Sequence, residues 1–328
     1  MGPLKGRMKE RFCGAVDVGG TKISSALFTP DGIISNRCKI AIDKRDAERS
    51  VSQIIDIILN LEQCAQKQKG EIAAIGIAVP GVVFHRQGLV WAPNIPGWDH
   101  LPLRDKLKEK IHLPLVLESD RSAYVWGERW CGAARNKRDV VFLAVGTGIG
   151  SGIVIDGRLC HGCDDIAGAV GWFALDPRFR DEYAQMGCFE AEASGDSVAR
   201  RAIRLIRGGE SSMLTEMARG KVEEITAPIV IEAFKKGDEL AGKVIKATVQ
   251  YLAMAIANIV SILNPEMIVL GGGLFQAGEM LLRPLREEFK KWAQPLAAQK
   301  VKLELSHLGE DAGLYGAGKM AWENSEGD

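Results

Sequence analysis

The residues best suited to chemistry stand at the ends of apolar strands. In AVDVGGTKISSALFTPDG, residues 15–32, a short apolar run leads into Asp17, Gly19, Gly20, Thr21 and Lys22, and a second apolar run follows. A hairpin needs only Asn-Gly or Asp-Gly at its bend, so this bend asks for a further reason. Glycines let another group approach the backbone closely, and successive N–H groups in such a bend form a nest for an anion. The pattern returns in DVVFLAVGTGIGSGIVIDGRL, residues 139–159, with Thr147 and Gly148 at the bend. EMIVLGGGL, residues 266–274, ends a third apolar strand in Gly271, Gly272 and Gly273. LPLVLESD, residues 113–120, ends in two carboxylates, Glu118 and Asp120, which an extended strand would place on one side. One glycine cluster alone is equally a tight turn. Three clusters, each directly after an apolar strand, point to two phosphate-facing hairpins opposed across a cleft, with a nucleotide between two lobes. No GxxxxGK[ST] occurs, and GTGIGSG lies between strands instead of opening a helix, so neither a Walker loop nor a dinucleotide fingerprint is present.

The elements that must position these residues follow from periodicity. A strand-rich opening covers 13–42. Val51, Ile54, Ile55, Ile58 and Leu61 recur at helical spacing within 47–68. The strand IAAIGIAVP, a helix in LPLRDKLKEKI, the strand before Asp120 and a helix over 121–134 come next. After the second hairpin the chain reads as mostly helical from 194 to 264. A strand through 270, a helix over 277–292, the strand VKLELSHL and a helix from Asp311 close it. The two glycine hairpins look like one duplicated unit, at a separation that is not a solenoid period.

Composition narrows the function classes. The chain has 328 residues, long enough for about two domains. Lys+Arg and Asp+Glu are equal at 42 each, which argues against nucleic acid or an anionic membrane as the main partner. The basic start MGPLKGRMKERF is followed by no apolar core of a signal peptide. The apolar stretch 251–274 is broken by Asn258, Asn264 and Pro265 and reads as a buried helix, a turn and a strand. Seven scattered cysteines fit a reducing cytoplasm better than a disulfide framework.

Taken together, these motifs resemble the ROK family of sugar kinases and sugar-responsive repressors, from about Cys13 to Ala321. DVGGTK and VGTGIGSGIV resemble its two phosphate motifs, IAVPG its connecting segment, LNPEMIVLGGG its adenosine motif, and DAGLYGAG its closing segment. APNIPGW resembles its sugar loop and ESD at 118–120 its catalytic END segment. The resemblance implies an α/β chain with the two-lobed actin-like ATPase (ribonuclease H-like) fold and a cleft active site. It implies a small lobe over 1–118 with the C-terminal helix 312–328, and a large lobe over 119–311. The implied activity is ATP-dependent phosphorylation of a hydroxyl on a hexose, amino sugar or cyclitol; the alternative is a non-catalytic sugar- or nucleotide-binding protein. Repressors of the family carry an N-terminal DNA-reading domain, for which the residues before the first strand leave no room, so the kinase branch is expected. Asp120 is the expected general base. Gly19, Gly20, Thr21, Thr147 and Gly148 would face phosphates, and Asp17 would face Mg²⁺ through water. Lys22 either adds charge there or is a solvated or structural lysine. Gly271, Gly272 and Gly273 would lie against adenosine, and Asn94, Gly97, Asp120 and Glu190 against the sugar. A homodimer or higher homo-oligomer is implied as well.

Two departures from the family pattern matter. GAVGW at 168–172 places Ala169 and Trp172 where the family has a sugar-binding Glu and a zinc-ligating His. DEYAQMGCFE at 181–190 retains only Cys188 of three zinc cysteines, with Glu190 beside it, so no structural zinc is expected there. CHGC at 160–163 precedes the expected site and lacks a second pair. The loop is then expected to be held by apolar packing of Trp172, Phe173, Phe179, Tyr183 and Phe189. Trp172 is either part of that packing or a platform for the apolar face of a sugar or cyclitol ring. Arg121 is either a new sugar-side donor or an exposed residue at a helix start.

Overall fold

The computed structural model describes residues 10–326 and divides into two compact units. The first comprises residues 10–136, the segment His161–Ile166 and residues 310–326; the second comprises Lys137–Cys160 and Ala167–Gly309. The change of unit after Asn136 comes later than the expected boundary at 118.

In the first unit, β1 (Glu10–Val18), β2 (Lys22–Phe28) and β3 (Ile34–Ala41) form an antiparallel meander. β4 (Gly70–Val79) pairs in parallel with β1. A short ribbon of β5 (Val82–Phe84) and β6 (Leu89–Trp91) follows. β7 (Leu115–Ser119) then pairs in parallel with β4, giving the order β3-β2-β1-β4-β7. The second unit has β8 (Val140–Val145), β9 (Ile149–Ile155), β10 (Arg158–Leu159), β11 (Met267–Gly271) and β12 (Lys302–Leu305). Its order is β10-β9-β8-β11-β12, again a meander on one side and two parallel strands on the other. The duplication visible in the two hairpins thus extends to both sheets.

Helix Ala47–Lys67 begins at Asp46, whose side chain accepts the Arg49 N–H, a standard N-cap. Its Val51, Ile54, Ile58 and Leu61 are buried against the first sheet with Val16, Ile75 and Ile77. In the second unit the apolar helix Glu239–Leu263 is long enough to span a bilayer, but more than half of its most apolar window is buried in the protein core. Asn264 ends it in the left-handed conformation, with φ of 44°.

In the first unit, helices Asp120–Cys131 and Ala312–Glu326 pack on each other and on β4 at backbone distance. A Cβ at Gly76 would lie 1.9 Å from the Ala317 carbonyl oxygen, and one at Gly316 1.9 Å from that of Ala123. One at Gly127 would lie 2.3 Å from the Ala312 oxygen. This layering places the start of helix Asp120–Cys131 and the end of β1. Helix propensity alone favours Gly316→Ala by about 1 kcal/mol. The clash is with backbone, which cannot swing away, so the variant is expected to lose about 1–3 kcal/mol. Thermal denaturation checks this: an unchanged or raised Tm would show that the layers separate without cost.

Candidate active site

The first hairpin turns through residues 19–21, closed by the Gly19 N–H donating to the Lys22 carbonyl at 2.8 Å. A Cβ at Gly20 would meet nothing within 4 Å, so protein packing does not require a glycine there and the space above it is open. Asp17, half-buried, sits where β1 ends. A Cβ at Gly313 would come within 2.8 Å of its Cγ and Oδ2, so the closing segment DAGLYGAG sets its first turn directly against this carboxylate. Burial, then repulsion from Asp120, pushes the Asp17 carboxyl up to about 7, against the pull of Lys22. Asp120 opens its helix behind Ser119, whose hydroxyl accepts the Ser122 N–H at 3.3 Å. Burial raises the Asp120 carboxyl as well, opposed by Arg121 and by the Tyr124 hydroxyl, which donates to Asp120 Oδ2 at 3.2 Å. Two carboxylates of which one feels the charge of the other make a locus that favours a cation, and their hard oxygens suit Mg²⁺. Lys22 turns elsewhere: its Nζ donates to Glu310 at 2.7 Å, as does Lys39 at 3.1 Å.

Strand periodicity fails for Glu118. The strand ends at Ser119 and Asp120 is already helical, so the two acids serve different clusters. Glu118, buried, accepts from Ser119 N–H at 2.7 Å and meets His85 and His161. Its burial would raise the carboxyl, but the two imidazoles outweigh that and hold it at about 2; Glu118 in turn lifts His85 to about 9. Arg121 is half-buried and donates to the Gly81 carbonyl at 3.2 Å, so it is an anchored residue, not a free helix-start one.

In APNIPGW, Ile95 and Trp98 are buried and the Trp98 indole donates to Ser50 Oγ at 2.9 Å. Those anchors leave Asn94 exposed. Gly97 has φ of 79° and faces Ala47, which accounts for a glycine there on structural grounds.

In the second unit, Gly146 N–H donates to the Gly148 carbonyl at 2.9 Å across the bend, and Thr147 is exposed at its tip. Glu190 Oε2 accepts the Ile149 N–H at 2.7 Å, and a Cβ at Gly148 would lie 2.9 Å from that oxygen. Burial raises the Glu190 carboxyl, with the Ile149 bond opposing. Of the third cluster, Gly271 packs on Phe142, and Gly272, at φ of 92°, lies against the Val145 backbone. Only Gly273 faces open space.

The loop expected to be held by apolar packing is held by three of its five aromatics and by ion pairs. Trp172 is 57% exposed and Phe179 71% exposed, while Tyr183 and Phe189 are buried and Phe173 is partly so. The buried carboxylate of Glu192 gathers Arg180, the Tyr183 hydroxyl at 2.6 Å and Arg201 at 2.6 Å. Cys188 is buried, its sulfur accepting the Leu175 N–H at 3.4 Å. Ion pairing at Glu192 adds to the packing of Phe173, Tyr183 and Phe189, while Trp172 and Phe179 face solvent.

The sequence reading missed Tyr124, although i, i+4 from Asp120 is a readable helical spacing. It also missed Gly313, His85 and His161, whose partners lie far away in the chain. A family model described as the ROK family matches residues 13–324. The chain is similar to a glucokinase of Halalkalibacterium halodurans, at 34% identity over 95% of each chain. It is similar to a xylose repressor of Caldicellulosiruptor bescii, at 31% identity over 83% of this chain and 68% of the repressor. In structure it is similar to a ROK family glucokinase from Streptomyces griseus in complex with glucose and AMPPNP. There the TM-score is 0.77 and the identity 29%, over 95% of this chain and 99% of that one.

Proposed function

Because the chain belongs to the ROK family, we propose that it is an ATP-dependent kinase phosphorylating a hydroxyl of a hexose, amino sugar or cyclitol. The observation that carries the reading is the pair Asp17 and Asp120, two half-buried carboxylates close enough for the charge of Asp120 to raise Asp17. A protein that only binds sugar gains nothing from that repulsion, whereas phosphoryl transfer needs one acid for a cation and one for a proton. Asp120 orients the sugar hydroxyl and accepts its proton; its raised pKa makes it a stronger base than an ordinary carboxylate. Asp17 is the residue that would hold Mg²⁺, through water. When bound, that ion neutralises charge on the phosphates. Gly20, Thr21, Thr147 and Gly148 offer N–H and hydroxyl donors to the nucleotide phosphates, and Gly273 is the glycine of its cluster left free for adenosine. Lys22 contributes to phosphate binding only by leaving Glu310. Asn94 and Glu190 bind sugar hydroxyls. A panel of hexoses, amino sugars and cyclitols assayed for ADP release tests the reading. ADP release with none of them would sink it in favour of the non-catalytic alternative.

The exposed Trp172 offers an apolar ring face in the place of an imidazole. The double variant Ala169→Glu, Trp172→His is therefore expected to lower kcat/KM on the best substrate about tenfold, the worth of one lost aromatic contact. A double variant more active on that substrate would show that Trp172 does not contact the ring.

A further inference from the structure

CHGC, set aside as a metal motif for its cysteines, contributes its histidine to another cluster. His85 follows β5, Glu118 lies near the end of β7, and His161 and Asp165 belong to the segment His161–Ile166 of the first unit. His85 Nε2 lies 3.1 Å and His161 Nε2 2.7 Å from the same Glu118 oxygen, Oε2. Asp165 holds His85 from behind: its Oδ1 is 2.7 Å from Nδ1, and its Oδ2 accepts the His85 backbone N–H at 3.0 Å. The imidazole rings meet edge-on, centroids 4.5 Å apart.

An ionised carboxylate only accepts, so Asp165 fixes a proton on His85 Nδ1. The Nε2 of a neutral His85 then presents a lone pair to another carboxylate oxygen, and His161 presents its own Nε2 to that same atom. Three ligand atoms from three residues, all within 4.8 Å of one another, need positive charge among them. Separate protons on the two imidazoles would supply it. One divalent ion would satisfy all three atoms at once. Two imidazoles and one carboxylate form a ligand set suited to zinc, and a carboxylate behind a ligating histidine is the usual outer support of such a site. Glu118 and Asp165 are shielded, with side chains 6% and 16% exposed, while each histidine is about one-third exposed. An ion here keeps access to water on one side.

We propose that His85, His161 and Glu118 bind one divalent transition-metal ion, Zn²⁺ or Co²⁺ in its place, with Asp165 orienting His85. Water takes the remaining position. This site is distinct from the lost cysteine site, whose positions Trp172 and Cys188 lie in the second unit. The ion ties the β5–β6 turn and the segment 161–166 to the strand ending next to Asp120, so its role is positional.

The test uses untagged, chelator-stripped full chain titrated with Co²⁺ and then Zn²⁺. The expected result is one Co²⁺ per chain, with the visible absorption of a four- or five-coordinate site, displaced by Zn²⁺. His161→Gln should abolish the spectrum. Asp165→Asn should weaken binding about 10–100-fold, and Cys188→Ala should leave it unchanged. Circular dichroism checks each variant's fold; if His161→Gln does not fold, Asp165→Asn carries the test. No ion bound by the folded wild type at micromolar metal would overturn the proposal and leave a protonated ion-pair cluster. A spectrum unaltered by both His161→Gln and Asp165→Asn would place the ion elsewhere and overturn it equally.

Discussion

Asp120→Asn is expected to lower turnover about 10²–10⁴-fold, the usual cost of removing a general base, with nucleotide affinity largely intact. Asn keeps the size of the side chain and still accepts the Tyr124 hydroxyl, which now lies 3.2 Å from Oδ2. It cannot take up the proton released as the sugar oxygen bonds to phosphorus. The loss should therefore appear in kcat and in single-turnover phosphoryl transfer, not in nucleotide binding measured by calorimetry. Near-normal turnover, with contaminating kinase excluded by active-site titration, would show that another group is the base.

Asp17→Asn is expected to separate activity from stability. Without the carboxylate the phosphates lose their cation anchor, and turnover should fall about 10²–10³-fold, as for other losses of electrostatic support to a transition state. Stability should move the other way. The carboxyl is raised from 3.8 to about 7, first by burial and then by Asp120. Between those values the folded protein holds the proton more tightly than the unfolded chain does. Stability therefore falls as pH rises through this window, and the full penalty applies above about 7. Asn removes it, so the variant should gain on the order of 1–3 kcal/mol at pH 8. That range takes about 1.4 kcal/mol for each tenfold change in proton affinity and discounts it for partial exposure. At pH 4 it should gain almost nothing. By the same titration, wild-type demand for Mg²⁺ should rise as pH drops below about 7. Equal Tm values for variant and wild type at pH 8 would show that Asp17 is not strained in its ionised form.

Both arguments depend on packing that the sequence shows only in part. Gly313 and Gly316 were legible as members of a motif, but not as the residues that let a helix lie against Asp17 and the Ala123 backbone. Gly271 and Gly272 looked like ligand-facing glycines, yet Phe142 and Val145 account for them. Lys22 read equally as a phosphate ligand and as a solvated or structural lysine, and it is paired with Glu310.

By itself the sequence determined the strands of the two main sheets, the longer helices, the duplicated glycine hairpin and the family, but not the β5–β6 ribbon or the short helices Cys188–Ala193 and Pro295–Lys300. Alternation, helical periodicity and turn chemistry are local properties, and the motifs recur in fixed order. Only the tertiary structure decided which partner each polar side chain takes. Glu118 and Asp120 stand two apart, but a helix begins between them and sends one to His85 and His161 and the other to Asp17 and Tyr124. Arg180 and Arg201 hold a buried Glu192 in a stretch whose aromatics suggested apolar packing alone. Such pairings depend on which layers the close backbone contacts bring together. Once water is displaced, each charge left among those layers must find an opposite one, wherever in the chain it lies.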